Sequence, residues 1–411
     1  MAKAENKTGS WKQTLRPIIN TAYHLPKSIF WAIYYRWPAK KLTAIGVTGT
    51  DGKTTTSTLI WHLLACAGKK ASLITSINAK IGQKEEDTGF HVTTPSPQKL
   101  QKFLTKIVKT KSQYAVIEAT SHGLDQHRLW GIDFYLGVIT NITPEHLDYH
   151  QNMTTYAKAK AKLFKKTKIA ILNRDDPWFP FLKSICQNNQ SQIISYGIKN
   201  NADITPRNFP HYCPLPGKYN QYNCLAAIAT AKALKLTDNQ IKRALKSFPT
   251  PKGRLEPINL GQNFRVFIDF AHTANALKSV LIELKNQLPK EGKLIAVFGC
   301  AGLRDRQKRP IMGKIASKLA NFTVITSEDP RTENPYQIAK EVAAGFSSNG
   351  QKKIILDRAE AINFAIQQAH KNDIVVILGK GHEKSMCFGT TEHPWSDQKE
   401  ARRAIKKILI K

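Results

Sequence analysis

The sequence predicts an α/β protein made of two parallel-sheet domains in series. Three observations carry this. From residue 43 to the C-terminus, short apolar runs alternate with segments of helical spacing, the pattern of a parallel sheet flanked by helices. Residues 46–56, "GVTGTDGKTTT", set a glycine-rich turn between an apolar run and a helical pattern. Residues 248–257, "FPTPKGRLEP", bring two prolines and a glycine within a few residues between two such alternating series, as a linker does. The expected divisions are therefore 1–42, 43–250 and 251–411.

Residues 1–42 stand apart, with eight Lys/Arg, one acid and the aromatic cluster "SIFWAIYYRWP". The apolar stretch is too short for a bilayer span and no small-residue cleavage site follows it. Two readings stay open: a basic amphipathic helix lying on a membrane, with residues 10–40 as the contact, and a helix docked on the globular body. Next, "LTAIGVT" reads as a strand and "TSTLIWHLLACAG" as a helix, with a shortened glycine loop between them. Strand, glycine loop and helix N-terminus make a phosphate cradle, in which Lys53 pairs with the β- and γ-phosphates and Thr54 reaches Mg²⁺. "YAVIEAT", "FYLGVITNI" and "IAILNRD" read as buried strands, and "TTYAKAKAKLFKK" and "YNCLAAIATAKALKL" as helices. Past the linker, "RVFIDFAH", "KLIAVFGC", "NFTVITSED", "KKIILDR" and "DIVVILGKG" supply the strands of the second domain.

Composition bounds the partners. Lys and Arg outnumber Asp and Glu by 62 to 30, a formal charge of +32. Such an excess suits nucleic acid, an anionic membrane or polyphosphate substrates. No aromatic-rich RNA-binding signature or Cys/His finger spacing accompanies it, so no specific nucleic acid is expected. The six cysteines form no C-x-x-C, which predicts a reducing compartment with neither a disulfide frame nor a zinc site.

Chemistry-bearing residues gather where strands end, the place α/β sheets put ligands. "VIEATSHGLDQHR" sets Glu118 at a strand end, followed by Ser121, His122, Gln126, His127 and Arg128. "TNITPEHLDYH" sets His146 and Asp148 after another. A carboxylate and an imidazole beside a phosphate loop suit Mg²⁺ held between phosphates and protein. Of the lysines in "YAKAKAKLF", Lys158 and Lys162 read as a solvated basic face.

These residues resemble the Mur ligases. "GVTGTDGKTTT", "TTP" at 93–95, "EATSHGLDQHR", "NITPEHLDYH" and "YAKAKAKLF" match the family's central domain; "LPGKYNQYNCLAAIA", "GRLEPI", "DFAHT", "VFGCAGLRDRQKRPIMG", "SEDPRTENP" and "GKGHE" continue the match in order. The similarity is closest to the branch that adds the third amino acid to UDP-N-acetylmuramoyl-alanyl-glutamate. It implies a central P-loop parallel-sheet ATPase domain followed by a Rossmann-like C-terminal domain that binds the amino acid. It implies that Gly49, Thr50, Asp51, Gly52, Lys53, Thr54 and Thr55 bind ATP, with Asn220, Arg254, Asp269 and His272 as further nucleotide contacts. Thr54, Glu118, His146 and Lys160 are implied to surround Mg²⁺, Lys160 as a carbamate, and Lys53, Glu118, His146 and Lys160 to be catalytic. Thr93, Thr94, Thr120, Gln126 and Arg128 match contacts to the acceptor. Arg304, Asp329, Pro330, Arg331, Gly379 and Glu383 match contacts to the incoming amino acid.

The implied reaction is ATP-dependent amide formation in peptidoglycan (cell-wall) biosynthesis, in the cytoplasm or at the inner face of the membrane. Arg331 favours meso-diaminopimelate over lysine as donor. Asp329 stands where the family has Asn and opposes a donor carboxylate unless it pairs with Arg331 or with the donor's distal ammonium. Asp51 likewise replaces Asn, and Ala301 and Leu303 replace Gly and Asp. Some 42 residues precede the glycine loop where the family carries a uridine-nucleotide domain, so a different or lipid-linked muramoyl acceptor stays open, as does a polyglutamate-forming ligase.

Overall fold

The computed structural model describes residues 15–89, 94–210 and 213–410. They form two compact units, each with its own sheet: the first runs to Pro214 and resumes over Tyr219–Phe248, and the second holds Leu215–Lys218 and the chain from Pro249 on.

The first unit is built on strands β1 (Thr43–Thr48), β2 (Ala71–Ile74), β3 (Ala79–Ile81), β4 (Lys84–Glu86), β5 (Tyr114–Glu118), β6 (Phe134–Ile139), β7 (Ile169–Asn173) and β8 (Gln192–Tyr196). Their order is β4-β3-β2-β5-β1-β6-β7-β8. The pairs from β2 to β8 are parallel, and only the β3 and β4 edge is antiparallel. β1, β5 and β7 are buried along nearly their whole length, which is why they read as unbroken apolar runs rather than alternating ones. Leu100, Phe103, Leu104 and Ile107 of the Pro97–Lys109 helix and Phe164 pack with Ile117, Ile139 and Leu172 into one core. The ends of β5, β1 and β6 therefore lie side by side, each followed by one of the polar segments singled out above.

Residues 25–34 form a helix that packs on the Pro97–Lys109 helix. Ser28 and Ala32 are its buried face, and a Cβ at Gly131 would come within 3.1 Å of the Ala32 Cβ. The seat is thus made by small residues, while Phe30, Ile33 and Tyr34 stay exposed. The docked reading describes one face of this helix. No helix among the described residues is long and apolar enough to cross a membrane.

The second unit holds β9 (Glu256–Ile258), β10 (Arg265–Asp269), β11 (Leu294–Phe298), β12 (Phe322–Ile325), β13 (Lys352–Ile354) and β14 (Ile374–Leu378) in the order β13-β12-β11-β14-β10-β9, with β9 alone antiparallel. A separate hairpin, β15 (Ser385–Phe388) and β16 (Thr391–Pro394), follows. Arg358 and Asp397 are both fully buried within this unit and paired at 2.8 Å.

Two sequence expectations are corrected here. Cys213 and Cys224 are joined in a disulfide, with Cα atoms 6.1 Å apart. Neighbouring-cysteine spacing misses it because the bend before the Lys218–Ala233 helix turns the chain back on itself. Lys162 is not merely solvated: its Nζ lies 2.6 Å from Asp125 Oδ1. Lys158 is exposed, as expected.

Candidate active site

Two glycines shape the loop after β1. Gly49 has φ +150°, and a Cβ there would sit 1.7 Å from Thr140 Oγ1; Gly52 has φ +82°, and a Cβ would sit 2.2 Å from Asn223 Oδ1. Neither neighbour leaves room for a side chain. The loop is tied to the segment after β6: Thr50 N donates to Asn141 O (2.8 Å), Asp51 N to Asn141 Oδ1 (3.0 Å), and Thr140 Oγ1 to Asp51 O (2.6 Å). Gly52 then caps the Lys53–Cys66 helix, whose N-terminal amides favour anions. Lys53 Nζ donates to Thr50 O at 2.8 Å, folded back over the loop. Thr54 and Thr55 are buried beneath it.

Thr54 Oγ1 donates to Glu118 Oε2 at 3.0 Å, and Ser76 N donates to the same oxygen at 3.1 Å. A hydroxyl and a buried carboxylate at the mouth of a phosphate loop are the hard oxygen donors that Mg²⁺ takes. His146 has φ +57°, a costly conformation for a residue with a side chain, and its ring lies 4.7 Å from that of His122. Among the described residues no three His, Cys, Asp or Glu side chains are grouped so as to hold a metal ion.

Lys160 is 1% exposed and its Nζ donates to Gly49 O at 2.6 Å. Burial, then the charge of Lys53, pulls its ammonium well below the usual lysine value, against the opposing pull of Asp51, Glu145 and Asp176. A neutral amine under the phosphate loop is the form that reacts with CO₂. Burial likewise pushes His150 down to about 4.

The acceptor candidates form a connected group. Thr94 Oγ1 and Thr120 Oγ1 are 2.9 Å apart, Arg128 Nη1 donates to Thr94 O (2.9 Å), and Arg128 Nε donates to Gln126 Oε1 (2.9 Å). Thr93 lies outside the described residues. Asn220, also in the first unit, is buried and accepts from Asn223 Nδ2 at 3.1 Å.

In the second unit, the buried Asp269 carboxylate accepts from Leu255 N (2.7 Å) and Ala271 N (2.8 Å). The Arg254 guanidinium lies 4.7 Å over the Phe270 ring, and His272 Nδ1 is 2.9 Å from Phe270 O. The segment after β12 is strained: Asp329 and Arg331, on either side of buried Pro330, have φ +42° and +52°. Arg331 Nη1 donates to Gly302 O at 2.6 Å. Asp329 does not pair with Arg331. Its two oxygens each accept from Lys380 Nζ at 2.8 Å, and Cys387 N adds a third bond at 2.9 Å. Lys380 is completely buried and also meets Glu383 Oε2 at 2.5 Å. Burial pulls its ammonium down, but Glu383 and Asp329 overcome this and hold it above the usual lysine range. Gly379 has φ +106°, and a Cβ there would meet Glu328 Oε2 at 2.2 Å. Arg304 is exposed.

Sequence reasoning passed over four groups at these sites: Thr140 and Asn141 that brace the loop, Asn223, Lys380 and Glu328. The first two lie in the quoted "FYLGVITNI" run and Lys380 within "GKGHE", so strand-end position was the available signal. Glu328 Oε2 has no hydrogen-bond partner among the described residues. Burial pushes its carboxyl from 4.5 up to about 8, against Lys308 and Arg358 and with Asp329 reinforcing the rise. A raised carboxyl pKa stabilises the fold at low pH, and that contribution is lost as pH climbs from the unfolded value through the folded one. Glu328→Gln is therefore expected to gain about 2–4 kcal/mol over wild type between pH 5 and pH 8. Paired melting curves at the two pH values check this, and a gap independent of pH would contradict it.

Residues 47–231 match the Mur ligase middle domain, and residues 253–381 the Mur ligase glutamate ligase domain. A UDP-N-acetylmuramoyl-L-alanyl-D-glutamate–2,6-diaminopimelate ligase of Oceanobacillus iheyensis is 39% identical over 91% of this chain and 80% of its own length. The enzyme of that name from Chlamydia felis is 40% identical over 87% of this chain and 76% of its own. A solved structure of such a ligase, 34% identical, superposes with a TM-score of 0.60 over 90% of this chain and 79% of that one. The Mycobacterium tuberculosis folylpolyglutamate synthase, at 16% identity and a TM-score of 0.68 over 86% of this chain and 92% of its own, shares the fold.

Proposed function

The chain belongs to the Mur ligase family, and from that premise we propose that it joins meso-diaminopimelate to UDP-N-acetylmuramoyl-L-alanyl-D-glutamate, converting ATP to ADP and phosphate. The observation that carries the donor assignment is the Asp329–Lys380 pair. Asp329 was the one residue opposing a donor with a far carboxylate. With both its oxygens on a buried lysine that Glu383 also meets, its carboxylate is engaged within the protein, and Arg331 supplies the positive charge.

The chemistry follows from what the residues can do. A carboxylate is a poor electrophile, so an acceptor oxygen first attacks the γ-phosphorus and ADP leaves, giving an acyl phosphate. The donor amine then adds to the carbonyl, and the tetrahedral intermediate expels phosphate as the nitrogen loses its proton. Lys53 and the helix N-terminus behind Gly52 orient the phosphates. Thr54, Glu118, His146 and Lys160, the last as a carbamate, would hold Mg²⁺, which when bound would supply charge compensation at the γ-phosphate. Thr94, Thr120, Gln126 and Arg128 hold the acceptor. Arg331→Ala is expected to raise the KM for diaminopimelate about tenfold or more while leaving slow turnover of lysine unchanged, since only the former has a far carboxylate for the guanidinium to bind. A wild type that prefers lysine, with that preference unaltered in the variant, would overturn the donor assignment.

The exposed side of the 25–34 helix fits an anionic bilayer. Tyr23, Phe30, Ile33 and Tyr34 are all more than half exposed and lie opposite the buried Ser28 and Ala32. Residues 15–50 contain Arg16, Lys27, Arg36, Lys40 and Lys41 and no acid, the charge pattern that anionic lipid attracts. The full chain is expected to float with phosphatidylglycerol vesicles at low salt and to lose most of that binding in the triple variant Phe30→Ser, Ile33→Ser, Tyr34→Ser. Equal flotation of the two proteins refutes membrane contact, and wild-type dimerisation lost in the variant assigns the face to a second copy instead.

A further inference from the structure

We propose that residues 16–24 form one wall of the acceptor site, with Arg16 contacting an anionic group of the acceptor and Asn20 holding the wall in place. This rests on the acceptor assignment above. Asn20 is buried, and its Nδ2 donates to Asp125 Oδ2 at 2.8 Å across 105 residues of sequence. The same carboxylate accepts from Tyr149 Oη (3.0 Å) and Lys162 Nζ (2.6 Å). Asp125 is thus a junction between the N-terminal segment and two elements of the first unit.

Arg16 lies on the other side of that junction. Its guanidinium sits 3.9 Å over the Tyr149 ring. Tyr149 leans on His122 at 4.1 Å, and His122 meets His146 at 4.7 Å. Gln126 Nε2 is 3.5 Å from Tyr149 Oη, and Gln126 in turn accepts from Arg128. A continuous line of contacts therefore links Arg16 to His146 on one branch and to Gln126 and Arg128, the acceptor candidates, on the other. His24 extends the wall. Burial, then the charges of Arg128 and Lys27, holds its imidazole below the usual value.

The chemistry of this wall is specific. Arg16 and Arg128 are linked through Tyr149 and Gln126, and the nearby Asp125 is already engaged by Asn20, Tyr149 and Lys162. A guanidinium stacked on a ring keeps its in-plane N–H fork for a bidentate anion. The acceptor carries a diphosphate and carboxylates, so a polyanion approaching Gln126 and Arg128 meets Arg16 alongside them. Asn20 touches no ligand in this arrangement and is a positioning residue.

Steady-state kinetics of the full chain with UDP-N-acetylmuramoyl-L-alanyl-D-glutamate, ATP and diaminopimelate test this, using Arg16→Ala, Arg16→Lys and Asn20→Ala. The acceptor KM is expected to rise at least about tenfold in Arg16→Ala, the scale of one charge-assisted hydrogen bond, with Arg16→Lys recovering part of it. Asn20→Ala is expected to raise the acceptor KM by about threefold or more, a fraction of the worth of its bond to the Asp125 carboxylate because Asn20 acts only through position. In all three variants kcat and the KM values for ATP and diaminopimelate stay within about twofold of wild type, as expected when only acceptor binding is lost. Unchanged acceptor KM in both alanine variants, or a parallel rise in all three KM values, overturns the proposal. A wild type that ignores this acceptor sinks the acceptor assignment as well, whereas an active wild type with unaffected variants sinks this inference alone.

Discussion

Lys160→Ala is expected to lose about a thousandfold or more in kcat, the scale at which phosphoryl transfer suffers when charge compensation at the γ-phosphate fails. The lysine is fully buried, its Nζ is fixed on Gly49 O, and burial with the neighbouring Lys53 depresses its pKa. An ammonium so close to Lys53 cannot serve as a metal ligand. The neutral amine can add to CO₂, forming an N–C bond and releasing one proton, and the resulting carbamate turns a cation into an oxygen donor. The sign is testable: wild-type activity should rise with added bicarbonate after CO₂ is stripped from the buffer. Short carboxylic acids should restore part of the activity of Lys160→Ala by supplying the missing oxygens. Lys158→Ala, at an exposed position two residues away, should behave as wild type. A fully active Lys160→Ala enzyme would remove the carbamate from the account.

The second large effect is on stability. Asp397→Ala is expected to destabilise the second unit by about 3–5 kcal/mol, because it leaves a buried guanidinium unpaired. Arg358 Nε and Nη2 both donate to Asp397 at 2.8 Å, and Nη2 also donates to Leu378 O at 2.9 Å. Trp395 Nε1 donates to the same carboxylate at 2.8 Å. The joint replacement Arg358→Met with Asp397→Leu removes both charges and should cost much less than Asp397→Ala. Urea unfolding of the three proteins separates the cases. Equal losses in the single and double variants would show that packing, and not the buried charge, sets the stability there.

The contrast between these sites and the sheets shows what a sequence discloses. β1, β5, β11 and β14 are legible because burial on both faces demands continuous apolar runs, and the glycines at 49 and 52 because only glycine fits against Thr140 and Asn223. Glu118 could be placed at a strand end from the sequence alone, and it closes β5. The partners of Asp329 could not: Lys380 lies 51 residues away, and Asp329, read locally, looked poised against a donor carboxylate or Arg331. Asn20 and Asp125, Arg358 and Asp397, and Cys213 and Cys224 are pairings of the same kind, set by how the chain returns on itself. Propensity and spacing describe neighbours in sequence, whereas a buried charge is explained by its neighbours in space.

The central claim, that the chain forms an amide between a muramoyl dipeptide and diaminopimelate at the expense of ATP, is tested most directly by one matrix of assays. Phosphate release and product mass are measured with ATP, with UDP-N-acetylmuramoyl-L-alanyl-D-glutamate present or absent, and with diaminopimelate, lysine, glutamate or no amino acid. The account predicts rapid phosphate release only when acceptor and diaminopimelate are both present, together with a product heavier than the acceptor by one diaminopimelate less one water. Phosphate release that is indifferent to the amino acid, or that is fastest with glutamate, would contradict it.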